Sequence, residues 1–233
     1  MDSDGCGSDA ESFSKITTKG ELWEYAVSGN NGDVEKGYTH ITVILDRSGS
    51  MDSIRDDTIG GVNDFLEKQK MVPGEATLTL VQFDSGDPYE VVRVFMAIGD
   101  VPPLDRKTYV PRGGTPLLDA VDRGINDIDY SVGKLQAGER PETVVVAVVT
   151  DGQENSSEEF TKKQVEKMIK EKSVAGWEFI FFSADLAAIG EAVRLGFHQE
   201  SALSYDKSAE GMACCMDMLS ERVMDKRVNP KKR

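Results

Sequence analysis

Cysteine and histidine are scarce in this chain. It has three cysteines, Cys6, Cys214 and Cys215, and two histidines, His40 and His198, among 233 residues. An odd count with two cysteines adjacent does not make a disulfide framework, so the chain reads as carrying free thiols in a reducing compartment. The two histidines are too few, and too far in sequence from the acidic motifs below, to read as acid/base catalysts. No apolar run approaches the ~18 residues that a membrane-spanning helix needs. The opening MDSDGCGSDAES has no hydrophobic core region, so no secretory signal is expected. There is no GxSxG elbow, no P-loop and no GxGxxG fingerprint. Positive charge is also in deficit: 27 Lys and Arg against 41 Asp and Glu leave a net charge of −14. Such a chain repels phosphate backbones and anionic lipid, which argues against nucleic-acid or membrane partners. It suits a bound cation or a basic partner surface.

What is present divides into three stretches. Residues 1–37 are rich in Ser, Gly, Asp and Glu, with a turn signal at GNNGD and one apolar patch, Leu22 to Val27. This patch reads equally well as an edge strand or a docking segment. Residues 38–224 alternate strand and helix patterns, and residues 225–233 form a basic tail ending Lys231-Lys232-Arg233. In the middle stretch, Ile41 to Leu45, Ala76 to Phe83, Val91 to Ile98, Val144 to Val149 and Trp177 to Phe182 read as strands. The second and third are close enough to form a hairpin. Runs that are apolar at every position belong to strands covered on both faces. The fold class expected is therefore α/β, with a mostly parallel sheet between helices.

Helix signals fill the gaps. Ser53-x-x-Asp56 and Thr161-x-x-Gln164 read as capping boxes, the second with Phe160 and Val165 as a hydrophobic staple. Thr115-Pro116 places an N-cap before a proline at the first helical position. A stripe of Met212, Met216, Leu219 and Val223 marks a last helix, with its methionines as core filler.

Three oxygen-bearing segments stand out. Asp46-Arg47-Ser48-Gly49-Ser50-Met51 follows the first strand, Gly113-Gly114-Thr115-Pro116 leads into a helix, and Thr150-Asp151-Gly152 follows the most apolar strand. In a parallel sheet the carboxyl ends of strands share one edge, and ligands bind in the crevice there. Segments far apart in sequence would meet at that edge. They would bring two carboxylates and three hydroxyls together, with no soft donor beside them. That set favours Mg²⁺ or Mn²⁺, allows Ca²⁺ and disfavours Zn²⁺. Two carboxylates so placed repel unless a cation lies between them. In an extended turn, alternate residues face one way, so D-x-S-x-S aims all three side chains into one pocket.

Asp46-x-Ser48-x-Ser50, Thr115 in GGTPL and Asp151 in TDG resemble the metal-ion-dependent adhesion site of von Willebrand factor A domains, over roughly Tyr38 to Val223. The resemblance, to the intracellular bacterial or phage-like type, implies a doubly wound sheet with one antiparallel edge strand, here Val91 to Ile98. It implies that Ser48, Ser50 and Thr115 bind the metal directly or nearly so, and Asp46 and Asp151 directly or through water, depending on the conformational state. An Asp or Glu of a partner protein would fill the open position. It further suggests a cytoplasmic protein working with a MoxR-type AAA+ ATPase or as an assembly partner.

Two rival functions stand beside this metal-dependent binding module. One is a self-assembling scaffold. The other is a Mg²⁺-dependent phosphohydrolase with Asp46 as nucleophile. Against the hydrolase, the position two residues after Asp46 is Ser48 rather than a carboxylate, and no lysine lies in the three segments. Asp56, Asp57, Asp84, Asp87 and Glu154 read as a solvated acidic face, with a rim of the pocket as the alternative. Arg47, Arg55 and Arg112, beside the motifs, would offset that acidity as a partner approaches.

Overall fold

The computed structural model describes residues 37–229. Strands β1 (Thr39–Asp46), β2 (Ala76–Asp84), β3 (Asp87–Ala97), β4 (Thr143–Thr150), β5 (Glu178–Ser183) and β6 (Ala202–Ser204) form one sheet in the order β3-β2-β1-β4-β5-β6. All neighbours are parallel except the β2–β3 hairpin, so β3 is the antiparallel edge strand that was expected.

Among the described residues five helices cover the sheet: α1 (Arg55–Lys70), α2 (Leu117–Lys134), α3 (Lys162–Val174), α4 (Leu186–Arg194) and α5 (Ala209–Val228). The period of two along each strand splits the core. Ile41, Val43 and Leu45 of β1, with Val145, Ala147 and Val149 of β4, pack against Val62, Phe65 and Leu66 of α1 and Met212, Met216 and Leu219 of α5. Ile44, Val144, Val146 and Val148 face the other way, onto α2, α3 and α4. Strands β1 and β4 are buried on both faces, which is why Ile41 to Leu45 and Val144 to Val149 lack the polar alternation of a half-exposed strand. Each fully buried Leu, Ile or Phe contributes about 1.5–3 kcal/mol of transfer free energy. The α1–α5 contact is close enough that a Cβ on Gly61 would lie 2.8 Å from Met216 Cγ.

Several local expectations are corrected. The chain after β1 makes a 3-10 turn, Gly49–Ile54, before α1, and Ser53 donates to the Ser50 carbonyl instead of capping α1. The Thr161–Gln164 capping box is present at α3. Helix α2 starts at Leu117 with Pro116 as its N-cap residue, and Thr115 caps nothing. Its first-turn amides are taken from elsewhere: Leu118 N–H donates to Glu154 and to Ser157 Oγ, and Asp119 N–H to Ser157 Oγ. Helix α5 runs through Val228, beyond the tail boundary drawn at 225. Arg227 is 4% exposed and donates to the carbonyls of Gln69, Val72 and Gly74, closing the last turn of α1. Helix α4 and strand β6 had no counterpart in the sequence reading. The Leu22 to Val27 patch lies outside the described residues.

Candidate metal centre

The centre stands where the strand order reverses, between the carboxyl ends of β1 and β4, which are neighbours in the sheet. This is the crevice position of an open α/β sheet. Asp46 is the last residue of β1 and is fully buried; Asp151 directly follows β4 and is 8% exposed.

Asp46 is held from three sides. Its Oδ1 accepts the Ser48 N–H at 2.6 Å, its Oδ2 accepts the Thr150 hydroxyl, and its backbone carbonyl accepts the buried Tyr109 hydroxyl at 2.7 Å. From Ser48 the chain of contacts continues. Ser48 Oγ lies 3.1 Å from Ser50 Oγ, and Ser50 Oγ donates to Asp151 Oδ1 at 2.6 Å. Burial pushes the Asp46 carboxyl up to about 6, against the opposing bonds from Thr150 and Ser48, and the Asp151 charge adds to the rise. Two ionised carboxylates in so dry a position call for positive charge.

The alternation expected of D-x-S-x-S is visible in Arg47. While its neighbours face the centre, Arg47 turns away and is buried. Its guanidinium donates to Asp84 and Gln82 and pairs with Glu90. Arg112 also pairs with Asp84, and Arg55 donates to the carbonyls of Tyr109 and Arg106. All three arginines are therefore struts of the loops rather than free cations for an approaching partner. The Asp84 carboxyl is buried under Arg47 and Arg112, and Asp56 pairs with Arg106, so neither lines the centre. Glu154 is spent on amides, those of Leu118, Ser156 and Ser157.

The glycine-rich loop is drawn in through its backbone. Gly49 N–H donates to the Gly113 carbonyl at 3.0 Å, Arg112 N–H to the Arg47 carbonyl at 2.8 Å, and Ser85 N–H to the Gly114 carbonyl at 3.1 Å. Gly113 has φ +65°, and a Cβ there would lie 2.4 Å from Ser85 Oγ, so the turn requires glycine. Thr115 is 3% exposed and is tied to the loop after β4: its N–H donates to Asn155 Oδ1 at 2.8 Å and its carbonyl accepts the Asn155 N–H. The structure thus joins Asp46, Ser48, Ser50 and Asp151 in one hydrogen-bonded chain. Thr115 is tied by its backbone to Asn155, four residues after Asp151, and makes no hydrogen bond from its hydroxyl to either carboxylate.

His40 is fully buried near the start of β1, at the opposite end of that strand from Asp46, and His198 precedes a 3-10 turn after α4. Neither belongs to the centre.

Sequence reasoning missed Thr150, Tyr109 and above all Lys207. Lys207 comes from the loop between β6 and α5. Its Nζ lies 2.6 Å from Asp151 Oδ2 and donates to the Ser50 carbonyl at 2.6 Å. Asp151 Oδ2 is buried and has no hydrogen-bond donor aligned on it. Thr150 could have been suspected from its place in TDG. Lys207 sits in a stretch with no motif.

The residues present fit a divalent cation. The donors are hard oxygens, both carboxylates are buried, and Asp151 Oδ2 is met only by the Lys207 ammonium. Among the described residues no group of three or more His, Cys, Asp or Glu stands together. The remaining ligands must therefore be hydroxyls and water.

The sequence matches no protein-family model and no curated protein. Solved structures do match. Proximal thread matrix protein 1 from the mussel byssus, in a structure described as having a zinc-occupied MIDAS motif, is 15% identical with a TM-score of 0.53, over 81% of this chain and 46% of that one. A von Willebrand factor type A protein from Catenulispora acidiphila is 15% identical with a TM-score of 0.52, over 81% of this chain and 43% of the other. The VWA domain of SpRpn10 is 12% identical with a TM-score of 0.51, over 77% of this chain and 94% of that domain. The chain thus spans less than half the length of the first two. With the sheet order, the antiparallel edge strand and the two helical layers already described, these matches show that residues 37–229 adopt the von Willebrand factor A fold.

Proposed function

We propose that the chain is a non-enzymatic, divalent-cation-dependent protein-binding module. One observation carries the reading: two buried carboxylates, Asp46 and Asp151, are brought from adjacent strands into one hydrogen-bonded chain through the Ser48 amide and the Ser48 and Ser50 hydroxyls. Asp46, Ser48, Ser50, Thr115 and Asp151 would hold the ion, Mg²⁺ by preference, with Mn²⁺ or Ca²⁺ as substitutes. When bound, it supplies an open position that an Asp or Glu of a partner protein can take. The protein's own part is rigidity. Tyr109, Gly113 and the Arg47–Asp84 pair fix the three loops before any partner arrives, so little ordering cost is left for binding.

An assembly partner or a MoxR-type AAA+ ATPase, met in the cytoplasm, is the partner class we favour, and self-assembly is the second reading. Among the described residues no helix is long and apolar enough to cross a membrane. A hydrolase using Asp46 is disfavoured because position 48 is serine where such an enzyme would carry a second carboxylate. No lysine lies in the three motif segments, but Lys207 reaches the centre from another loop.

Calorimetric titration with Mg²⁺, Mn²⁺ and Zn²⁺ tests the reading, followed by capture of partners with and without EDTA. Binding of Mg²⁺ or Mn²⁺ that disappears in Asp151→Ala is expected. Undiminished binding in that variant would place the ion elsewhere, and a partner that binds equally well in EDTA would defeat the bridging mechanism.

A further inference from the structure

Lys207 is placed by a short, doubly anchored loop. On one side Tyr205, 7% exposed, donates its hydroxyl to the Thr150 carbonyl at 3.0 Å and its N–H to the Ser183 carbonyl at 3.1 Å. On the other side Ser208 caps α5, its Oγ accepting the Gly211 N–H at 3.0 Å. The loop presses so closely on the start of α5 that a Cβ on Gly211 would lie 1.9 Å from the Asp206 carbonyl oxygen. Only glycine permits that approach. Two residues after Tyr205 and one before Ser208, the Lys207 ammonium is therefore held at high effective concentration over Asp151.

The contact is made on the same carboxylate the ion needs. Nζ faces Asp151 Oδ2 while Ser50 Oγ occupies Oδ1, and the ammonium also takes the Ser50 carbonyl. The side chain of Asp151 is 0% exposed and that of Lys207 is 36% exposed, so the ammonium reaches inward along a stem that remains open to solvent. An ammonium carries one charge and donates only. It answers Asp151 and leaves the Asp46 carboxylate, held by a hydroxyl and an amide, without a cation of its own. A divalent ion can answer both carboxylates at once.

We propose that Lys207 is a built-in cationic occupant of the metal centre, which a divalent ion must displace from Asp151. The inference rests on the metal-binding reading above and adds its regulation. The tethered ammonium keeps the loops in their binding-ready arrangement without metal, and sets the concentration of divalent ion at which the module switches on. Displacement frees Lys207 into solvent at the rim, next to the position a partner's carboxylate would take.

The test uses the whole chain with Mn²⁺ and Mg²⁺ as probes. In Lys207→Met the ion-pair competitor is gone, and Mn²⁺ should bind at least ~10-fold more tightly than to wild type, the factor equivalent to about 1.4 kcal/mol. Lys207→Arg keeps the charge and should stay near wild type. As a second readout, acetylation of Lys207 by an N-hydroxysuccinimide ester, followed by peptide mass spectrometry, should be slow in EDTA and rise on adding Mn²⁺. Equal Mn²⁺ affinity in wild type and Lys207→Met overturns the proposal while leaving the metal centre standing. Tighter binding with unchanged Lys207 acetylation overturns displacement. Absence of binding in both proteins overturns this proposal together with the metal-binding reading, whereas binding in Lys207→Met alone supports both.

Discussion

His40 enters the interior without a charge partner. It is fully buried. Its Nδ1 lies 2.8 Å from Thr77 Oγ1, its Nε2 lies 3.2 Å from Thr42 Oγ1, and its ring stacks on Phe95 at 3.8 Å. Phe95 reaches it through an irregular stretch of β3 in which its own φ is +42° and its N–H is taken by Thr79 Oγ1. Burial drops the His40 imidazole to about 3 from its ordinary 6.5. Between those values the unfolded chain binds a proton that the folded chain refuses. This residue's contribution is therefore intact above pH 6.5 and is lost progressively as the pH falls toward 3. The slope is about 1.4 kcal/mol per pH unit. Urea unfolding of wild type and His40→Gln at pH 7, 6 and 5 should show the wild type losing its advantage, at about half that rate between pH 7 and 6 and close to it between pH 6 and 5. Parallel pH dependences would contradict a neutral buried imidazole. A lone histidine opening a strand showed no role in the sequence, because Thr77 and Phe95 reach it from β2 and β3, and the one local partner, Thr42, is an ordinary strand residue.

Helices and strands were legible in proportion to how local their determinants are. The apolar runs of β1, β4 and β5 and the Thr161–Gln164 box of α3 lie within single segments, and the structure shows them there. Strand β6 has three residues and no pattern of its own, and its position follows from pairing with β5. The start of α2 was misread for the same reason. Its amides are capped by Glu154 and Ser157, 36 and 39 residues away from Leu118, which no window around Thr115-Pro116 contains. Two substitutions separate cap from site. Glu154→Ala removes the acceptor for three backbone amides and the Ser157 hydroxyl, and should cost about 1–3 kcal/mol of stability. Thr115→Ala removes no cap, so its denaturation midpoint should stay at the wild-type value while Mg²⁺ affinity falls. A midpoint shift in Thr115→Ala as large as that of Glu154→Ala would restore the capping role. At the α1–α5 contact, Gly61→Val forces side-chain atoms against Met216 and should cost about 1–3 kcal/mol by overpacking.

Across the whole molecule, the centre and the core are separable. The two apolar layers lie along the faces of the sheet, while Asp46, Ser48, Ser50, Thr115 and Asp151 lie at one edge of it. The sequence showed this division because parallel strands put every carboxyl end on one side. It could not show Lys207, whose arrival depends on how the loop before α5 is pinned to Thr150. Separability predicts that metal-free protein is folded. In EDTA, wild type should melt cooperatively. Asp46→Asn should melt within a few degrees of it or above it, because an amide can still accept from Ser48 N–H and donate to Thr150 Oγ1 without burying a charge beside Asp151. Adding Mg²⁺ at ~100 times its dissociation constant should stabilise wild type by about 2.7 kcal/mol. For a domain of this size that is a rise of roughly 5–10 °C, and Asp46→Asn should show little of it. Circular dichroism melts with and without Mg²⁺ measure all of this. A wild type that unfolds in EDTA would make the ion part of the fold itself, as in small zinc domains, and the edge position of the site would then have lost its meaning.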